Sequence, residues 1–449
     1  MKHGTIGFIH DVRLGDIPGG VIELALVCIA DLIAAAAGGL GTPVSRIIRD
    51  HSEAHFAARR GGARLLLDGR RVSPVGAAMA GGMTIDSFDA HDGHALTKGH
   101  AGAAVLPAAL AFADAAEEAL SGADFIADVV IGYEIAIRAG IATHRTACDY
   151  HTSGSWNALG AASIGARRLK LDGETTRHAL GTAEFHGPRS QMMRCIDFPT
   201  MVKDGSGWGA MAGVSAAYLA QAGFTGAPAL VVESEAVADL WADLGARWRL
   251  QEMYFKPYPV CRWAQPAVEA AFALMRAHGV GAVDIARVKV TSFHEAVRLA
   301  TRVPTSTEEA QYSLPFPVAA AIVRGRLAAE EVGTAAFADP EIRRLSATME
   351  LAEGANFNAR FPAERYAQVE FHLRDHRRPD LLRPDQAADG RLRKRRGIMS
   401  TPTTRAPRSS PVRPSDGSVG GVMTARAPEW VGHVLRFAVV GVASTESKL

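Results

Sequence analysis

Between Pro18 and Arg276 apolar residues recur at three- and four-residue spacing, the stripe that one face of a helix leaves in a sequence. The pattern predicts eight helices, over 18–38, 74–89, 101–120, 123–140, 155–169, 174–185, 206–221 and 264–276, each bounded by Gly, Asp, Ser or Pro. At Leu171-Asp-Gly-Glu-Thr-Thr, Gly173 ends one helix and the next begins within a few residues. Near Gly281 the period changes to two. Arg287-Val-Lys-Val-Thr-Ser-Phe and Tyr366-Ala-Gln-Val-Glu-Phe-His-Leu alternate as half-buried strands do, and 313–327 and 338–345 between them read as helices. The expected fold class is therefore mainly α: a large all-helical domain over residues 1–265, then a smaller α+β domain over 266–375. Beyond it, runs such as Arg391-Leu-Arg-Lys-Arg-Arg offer too little apolar surface to offset ordering entropy. Residues 376–449 are expected to form a basic tail without fixed structure.

Composition changes this picture little. A chain of 449 residues exceeds one ordinary core, and 48% hydrophobic against 21% charged residues is the balance of a folded globular protein. The four cysteines are far apart, without a CxxC pair, and no cleavable apolar leader is evident, so reduced thiols and a cytoplasmic location are expected. Val21–Gly41 is the most apolar run, but Glu23 and Asp31 lie inside it. A charge at mid-membrane is costly, so the run is read as a buried helix and no membrane partner is expected. From His376 onward 14 Lys and Arg face 6 Asp and Glu, which leaves the rest of the chain net acidic. Nucleic acid could therefore be bound only by the tail.

Four clusters carry chemistry. In Asp86-Ser-Phe-Asp-Ala-His-Asp-Gly-His-Ala-Leu-Thr-Lys-Gly-His, three aspartates, three histidines and a lysine sit between Ala-rich helices. A metal site, a proton-transfer site and a solvated loop all remain open there; the HExxH helix of a familiar zinc geometry is absent. In Asp149-Tyr-His-Thr-Ser-Gly-Ser-Trp, residues Tyr150 to Ser153 precede a helix start, where exposed N–H groups favour anions; plain capping by Ser153 or Ser155 is the alternative. Lys203 stands in Phe198-Pro-Thr-Met-Val-Lys-Asp-Gly-Ser-Gly-Trp, before a Gly-rich helix entry that is not a Walker motif. Lys256, in Tyr254-Phe-Lys-Pro-Tyr-Pro, is held among aromatics and prolines at the seam of the two domains. It could pair with a carboxylate ligand or simply lie along aromatic surface.

In this order the clusters resemble the MmgE/PrpD family, whose members include 2-methylcitrate dehydratase, cis-aconitate decarboxylase and iminodisuccinate epimerase. Asp31-Leu-Ile-Ala-Ala-Ala-Ala-Gly-Gly, His100-Ala-Gly-Ala-Ala-Val-Leu-Pro and Gln311-Tyr-Ser-Leu-Pro-Phe-Pro complete the match, which spans about residues 5 to 375. The resemblance implies a helical domain with an α+β lid, a homodimer, and no metal or organic cofactor. It places catalytic roles on Asp89, His100, His151, Lys203 and Lys256, and substrate contacts on Tyr150, Ser153, His94 and Tyr258. The implied activity is that of a lyase on a small di- or tricarboxylate, as a 2-methylcitrate-dehydratase-like hydro-lyase. Epimerisation or decarboxylation on the same scaffold is the alternative, and an inactive carboxylate-binding homologue is the alternative of another class.

Three departures stand out. Gly93 occupies a position where the family often has a threonine, Phe316 one where the decarboxylase has a tyrosine, and Gln265 one where relatives often have histidine. The family's closing helices have no counterpart after Leu373-Arg-Asp, a break that a frameshift would produce.

Overall fold

Alanine and glycine dominate the helices of the N-terminal part, and short side chains let helix axes approach closely enough to bury entire helices rather than single faces. The computed structural model describes residues 4–58, 61–362 and 364–374, with the backbone of two short strands beyond. The chain divides into two units, one of residues up to Met192 with Lys203–Phe255, the other of Met193–Val202 with the residues from Lys256. Lys256 and Tyr258 thus belong to the second unit.

The first unit begins with α1 (Thr5–Asp11), α2 (Gly19–Gly39) and α3 (Pro43–His55), followed by a small antiparallel ladder of β1 (Ala63–Arg64) and β2 (Arg71–Val72). Then come α4 (Pro74–Asp86), β3 (Gly93–His94), α5 (Gly102–Ala115), α6 (Gly122–Thr146), α7 (Gly154–Arg168) and α8 (Gly173–His186). The one-and-a-half-turn α9 (Met192–Asp197) falls almost wholly in the second unit. The first unit resumes with α10 (Ser206–Gln221), the short α11 (Leu230–Glu233) and α12 (Ala238–Ala242), and β4 (Met253–Tyr254), which pairs antiparallel with β3. Every residue of α4 from Gly76 to Asp86 is buried, as is every residue of α7 from Gly154 to Arg167. Where α4 and α10 cross, a Cβ on Gly82 would lie 2.7 Å from the Gly207 Cα and 2.9 Å from the Ala103 carbonyl oxygen, so only glycine admits the starts of α10 and α5 to the same place.

The predicted helices are found, with α4 and α5 ending earlier than expected and α6 running on to Thr146. The helix α3 was not anticipated, because it buries only Val44, Ser45, Ile48 and Ser52 and so leaves a thin apolar stripe. Its signal lies in its start: the Thr42 hydroxyl accepts the Ser45 N–H at 3.3 Å, with Pro43 in the first turn. α2 corrects the reading of a buried helix. It is long and apolar enough to cross a membrane, and only 33% of that apolar window is buried; Val21, Ala25, Cys28, Leu32 and Ala36 form its inward stripe, while Leu26 is exposed.

In the second unit, β5 (Ile285–Ser292) lies between β6 (Glu350–Glu353), parallel to it, and β7 (Tyr366–Leu373), antiparallel to it. Ala367, Val369 and Phe371 of β7 point inward with Val288 and Val290 of β5, the alternation expected of a sheet covered on one face. The helix α13 (Gln265–His278) and those over Pro315–Arg324 and Pro340–Thr348 complete the unit. Two strands of the expected tail, β8 (Ile398–Ser400) and β9 (Thr404–Arg405), pair with β7, which corrects the expectation of no regular structure at those five residues. The remainder of 376–449 lies outside the described residues.

Candidate active site

The C-terminal end of α4 delivers Asp86, after which the chain passes Asp89 and His91, makes β3 and returns at His100 to the threshold of α5. All of these side chains are buried. One ligand-type atom from each of Asp89, His91 and His100 lies within 4.8 Å of the others, and the two imidazole centroids are 4.2 Å apart. His100 Nδ1 donates to the Asp92 carbonyl oxygen, so in the neutral ring Nε2 is the basic nitrogen. His91 presents Nε2 3.8 Å from the Asp86 carboxylate. Tyr133 of α6 donates its hydroxyl to the Asp92 carboxylate; burial, and then the Asp92 charge, drive the phenol well above its ordinary range.

His94, for which the resemblance implies a substrate contact, is buried with both ring nitrogens engaged within the fold. Its Nδ1 accepts the Thr97 N–H at 3.4 Å and its Nε2 meets Glu252 at 3.2 Å, an arrangement that a neutral ring satisfies. Burial lowers its pKa in spite of that carboxylate. Opposite Gly93 stands Tyr254, its partner in the β3–β4 register. A Cβ at position 93 would lie 2.5 Å from the Tyr254 hydroxyl oxygen and 2.6 Å from its Cζ. The phenol end of Tyr254 thus fills the place of the side chain that Gly93 lacks.

A second wall comes from the starts of α7 and α10. Lys203 is 2% exposed and sits in the left-handed region with φ 49°, two residues before Gly205 with φ 70°. Such a backbone is costly for a lysine; it turns the chain sharply into α10. Between them, Asp204 accepts the Ser153 N–H at 3.1 Å and the Ser153 hydroxyl. Ser153 in turn accepts the His100 N–H at 2.9 Å. The Asp204 N–H donates to the Asp86 carboxylate at 3.2 Å, and the Gly154 N–H to the Asp204 carbonyl oxygen at 3.2 Å. Burial, and then the Asp86 charge, push the Asp204 carboxyl up to about 8, against the pull of its bonds from Ser153.

The starts of α5, α7 and α10 therefore meet in one place, and none has a side-chain cap from its own N-cap residue. A helix start favours negative charge beside it, and here the buried carboxyl groups of Asp86 and Asp204 accept backbone N–H groups at the starts of α10 and α7.

His151 lies two residues before Ser153 and is half-buried. Its Nδ1 donates to the Asp149 carbonyl oxygen at 2.8 Å, which again makes Nε2 the basic nitrogen. Its backbone N–H donates to Nε2 of His144 at 3.3 Å. Burial, and then the Lys98 charge, hold His144 down to about 4, so it stays an acceptor at neutral pH. Tyr150 donates its hydroxyl to the Lys98 carbonyl oxygen, and the Lys98 ammonium lies 4.8 Å from the tyrosine ring centre.

The first unit thus holds Asp89, His100, Ser153 and Lys203, with His151 on the adjoining turn, and adds His91, which the sequence offers only as a metal ligand, and Asp86 and Asp204, to which it gives no role. The Lys203-Asp pair was visible, but nothing local announces that its aspartate reaches Ser153. In the second unit, the Tyr258 hydroxyl donates to Glu269, Gln265 donates to the Tyr258 and Val260 carbonyl oxygens at 3.2 Å each, and the buried Phe316 packs edge-on against Phe337 at 5.6 Å. A separate cleft of about 640 Å³, lined among others by His10, Arg13 and Arg167, lies elsewhere in the first unit; Arg167 is already committed there to three carbonyl oxygens and Asp128.

Comparison with known proteins adds the following. The MmgE/PrpD N-terminal domain matches residues 6–244, and the MmgE/PrpD C-terminal domain matches 258–392, which carries the likeness past the expected end at 375. Cis-aconitate decarboxylase of Aspergillus terreus is 30% identical over 175 residues, 37% of this chain and 35% of that protein. The cis-aconitate decarboxylase-like protein oryM of Aspergillus oryzae is 26% identical over 188 residues, 39% of this chain and 38% of that protein. The matched part therefore spans little more than a third of these relatives' length.

Proposed function

The chain belongs to the MmgE/PrpD family, a family of enzymes, and on that premise we propose that it is a cofactor-independent lyase acting on a small di- or tricarboxylate, in the manner of a 2-methylcitrate dehydratase. The observation that carries this reading is the buried meeting of Asp89 and His100, with His100 joined through Ser153 to the Lys203-Asp204 turn before α10. Removing a proton beside a carboxylate leaves negative charge on the substrate. A base must take the proton, and cations and N–H dipoles must hold the charge.

His100 and His151, each with Nδ1–H tied to a carbonyl oxygen, present Nε2 to take or give protons. Lys203 holds carboxylate, and Asp89 tunes His100. Lys256, in the second unit, keeps the carboxylate-binding role that the resemblance implies, and its own substitution tests it. The decarboxylase names of the similar fungal proteins support a second reading, loss of carbon dioxide instead of hydroxide from the same charge-stabilised intermediate. A homodimer belongs to the same proposal and is checked by sedimentation.

The test is proton NMR of the purified protein in D2O with 2-methylcitrate, citrate, cis-aconitate or iminodisuccinate. Turnover or deuterium uptake is expected with at least one, and neither with any, from folded protein, would sink the proposal. Because Asp89, His91 and His100 are also of metal-ligand types, the same assay is repeated after dialysis against a chelator. Full activity is expected; loss restored by zinc or iron would overturn the cofactor-independent part.

A further inference from the structure

We propose that Asp204 is a positioning residue, whose carboxyl group ties the starts of α7 and α10 to the His100 segment and so holds the acid–base groups in register. The inference rests on the reading of this place as an acid–base site for carboxylates. Asp204 is 1% exposed and is the point where four pieces of chain meet. Its carboxyl group takes both donors of Ser153, from N–H and hydroxyl. Ser153 passes the connection to the His100 N–H at 2.9 Å. Its own N–H reaches Asp86 at the end of α4, and its carbonyl oxygen takes the Gly154 N–H in the first turn of α7. Lys203 is its neighbour in the chain and His151 lies two residues before Ser153, so each proposed proton-transfer or cationic group of the first unit is within a short covalent or hydrogen-bonded path of this one carboxyl.

The charges around it decide how it works. Asp86 faces it from α4 and Asp89 from the loop that follows, while α7 contributes the neutral Ser153. Buried carboxylates this close cannot all ionise, and burial with the Asp86 charge keeps the proton on Asp204 to about pH 8. A neutral Asp204 keeps its hydrogen bonds without competing for Lys203 when the substrate gains negative charge. Ionised, it would place a further negative charge where the reaction develops its own.

Asp204→Asn and Asp204→Ala in the full chain test this. The asparagine is neutral and of the same shape, and is expected to retain kcat/KM within about threefold of the parent. The parent's kcat is expected to fall as pH rises through about 8, and that fall should be missing in Asp204→Asn, with both proteins shown by circular dichroism to stay folded at every pH so that loss of stability alone does not produce the difference. The alanine is expected to lose about tenfold or more in kcat with little change in KM, and to show faster amide exchange in peptides covering 86–102 and 149–156. Parental kcat in Asp204→Ala overturns the proposal, as does an unchanged alkaline fall in Asp204→Asn. If the parent turns over none of the polycarboxylates, the functional reading fails by itself, and amide exchange decides alone: protection kept in Asn and lost in Ala upholds positioning, and equal exchange in both refutes it.

Discussion

His94, His100 and His151 differ in what each Nδ1 meets: an N–H at His94, carbonyl oxygens at His100 and His151. Only the latter two present Nε2 as a base, which separates them chemically from a third histidine in the same polar stretch. His100→Gln or His151→Ala should therefore lower kcat/KM by about 10²–10⁴-fold, whereas His94→Gln should chiefly lower the melting temperature; equal kinetic losses in all three would refute the distinction. The residue types at Asp89, His100 and Lys203 were legible in the sequence, because titratable groups stood out among alanines. The task of His94 was not, since its partner Glu252 lies 158 residues away and no local pattern records such a pair. Gly93→Ala should cost about 1–3 kcal/mol by forcing the Tyr254 ring aside, measured by urea unfolding, and the same substitution made in a Tyr254→Ala background should cost markedly less.

Among the elements, the packed crossing of α4 and α10 sets where Lys203 and Asp204 enter the site. A Cβ on Gly207 would lie 2.5 Å from the Met79 carbonyl oxygen and 2.8 Å from the Met83 backbone nitrogen, contacts that no side-chain rotation relieves. Gly207→Ala is expected to destabilise the protein by about 2–4 kcal/mol and to lower kcat, both read from a stability curve and a steady-state assay; a variant with parental Tm would show that α10 can shift freely. The helices were legible because nearly continuous apolar runs broken by Gly, Ser and Asp leave few other choices. What the pattern could not show was their mutual approach. Small residues permit contact on any face, so the convergence of three helix starts depends on tertiary packing.

For the molecule as a whole, two buried groups oppose each other in pH. The folded state favours neutral Asp204, so its contribution to stability is fully present below the ordinary carboxylate range and is lost as pH rises through about 8. It likewise favours neutral His144, whose contribution is present above the ordinary imidazole value and is lost as pH falls through about 4. Between about pH 4 and the ordinary imidazole value the two contributions offset each other, and above it urea midpoints should fall up to about pH 8; Asp204→Asn should remove that fall and His144→Gln should extend it down towards pH 4, and the reverse pattern would contradict the assignment. The pairing of β3 with β4 has a consequence of another kind, for history. Residues 93 and 254 compete for one volume, so a lineage that acquires a side chain at 93 while a tyrosine stands at 254 must displace that ring. Relatives with threonine at 93 are expected to carry a smaller residue opposite it.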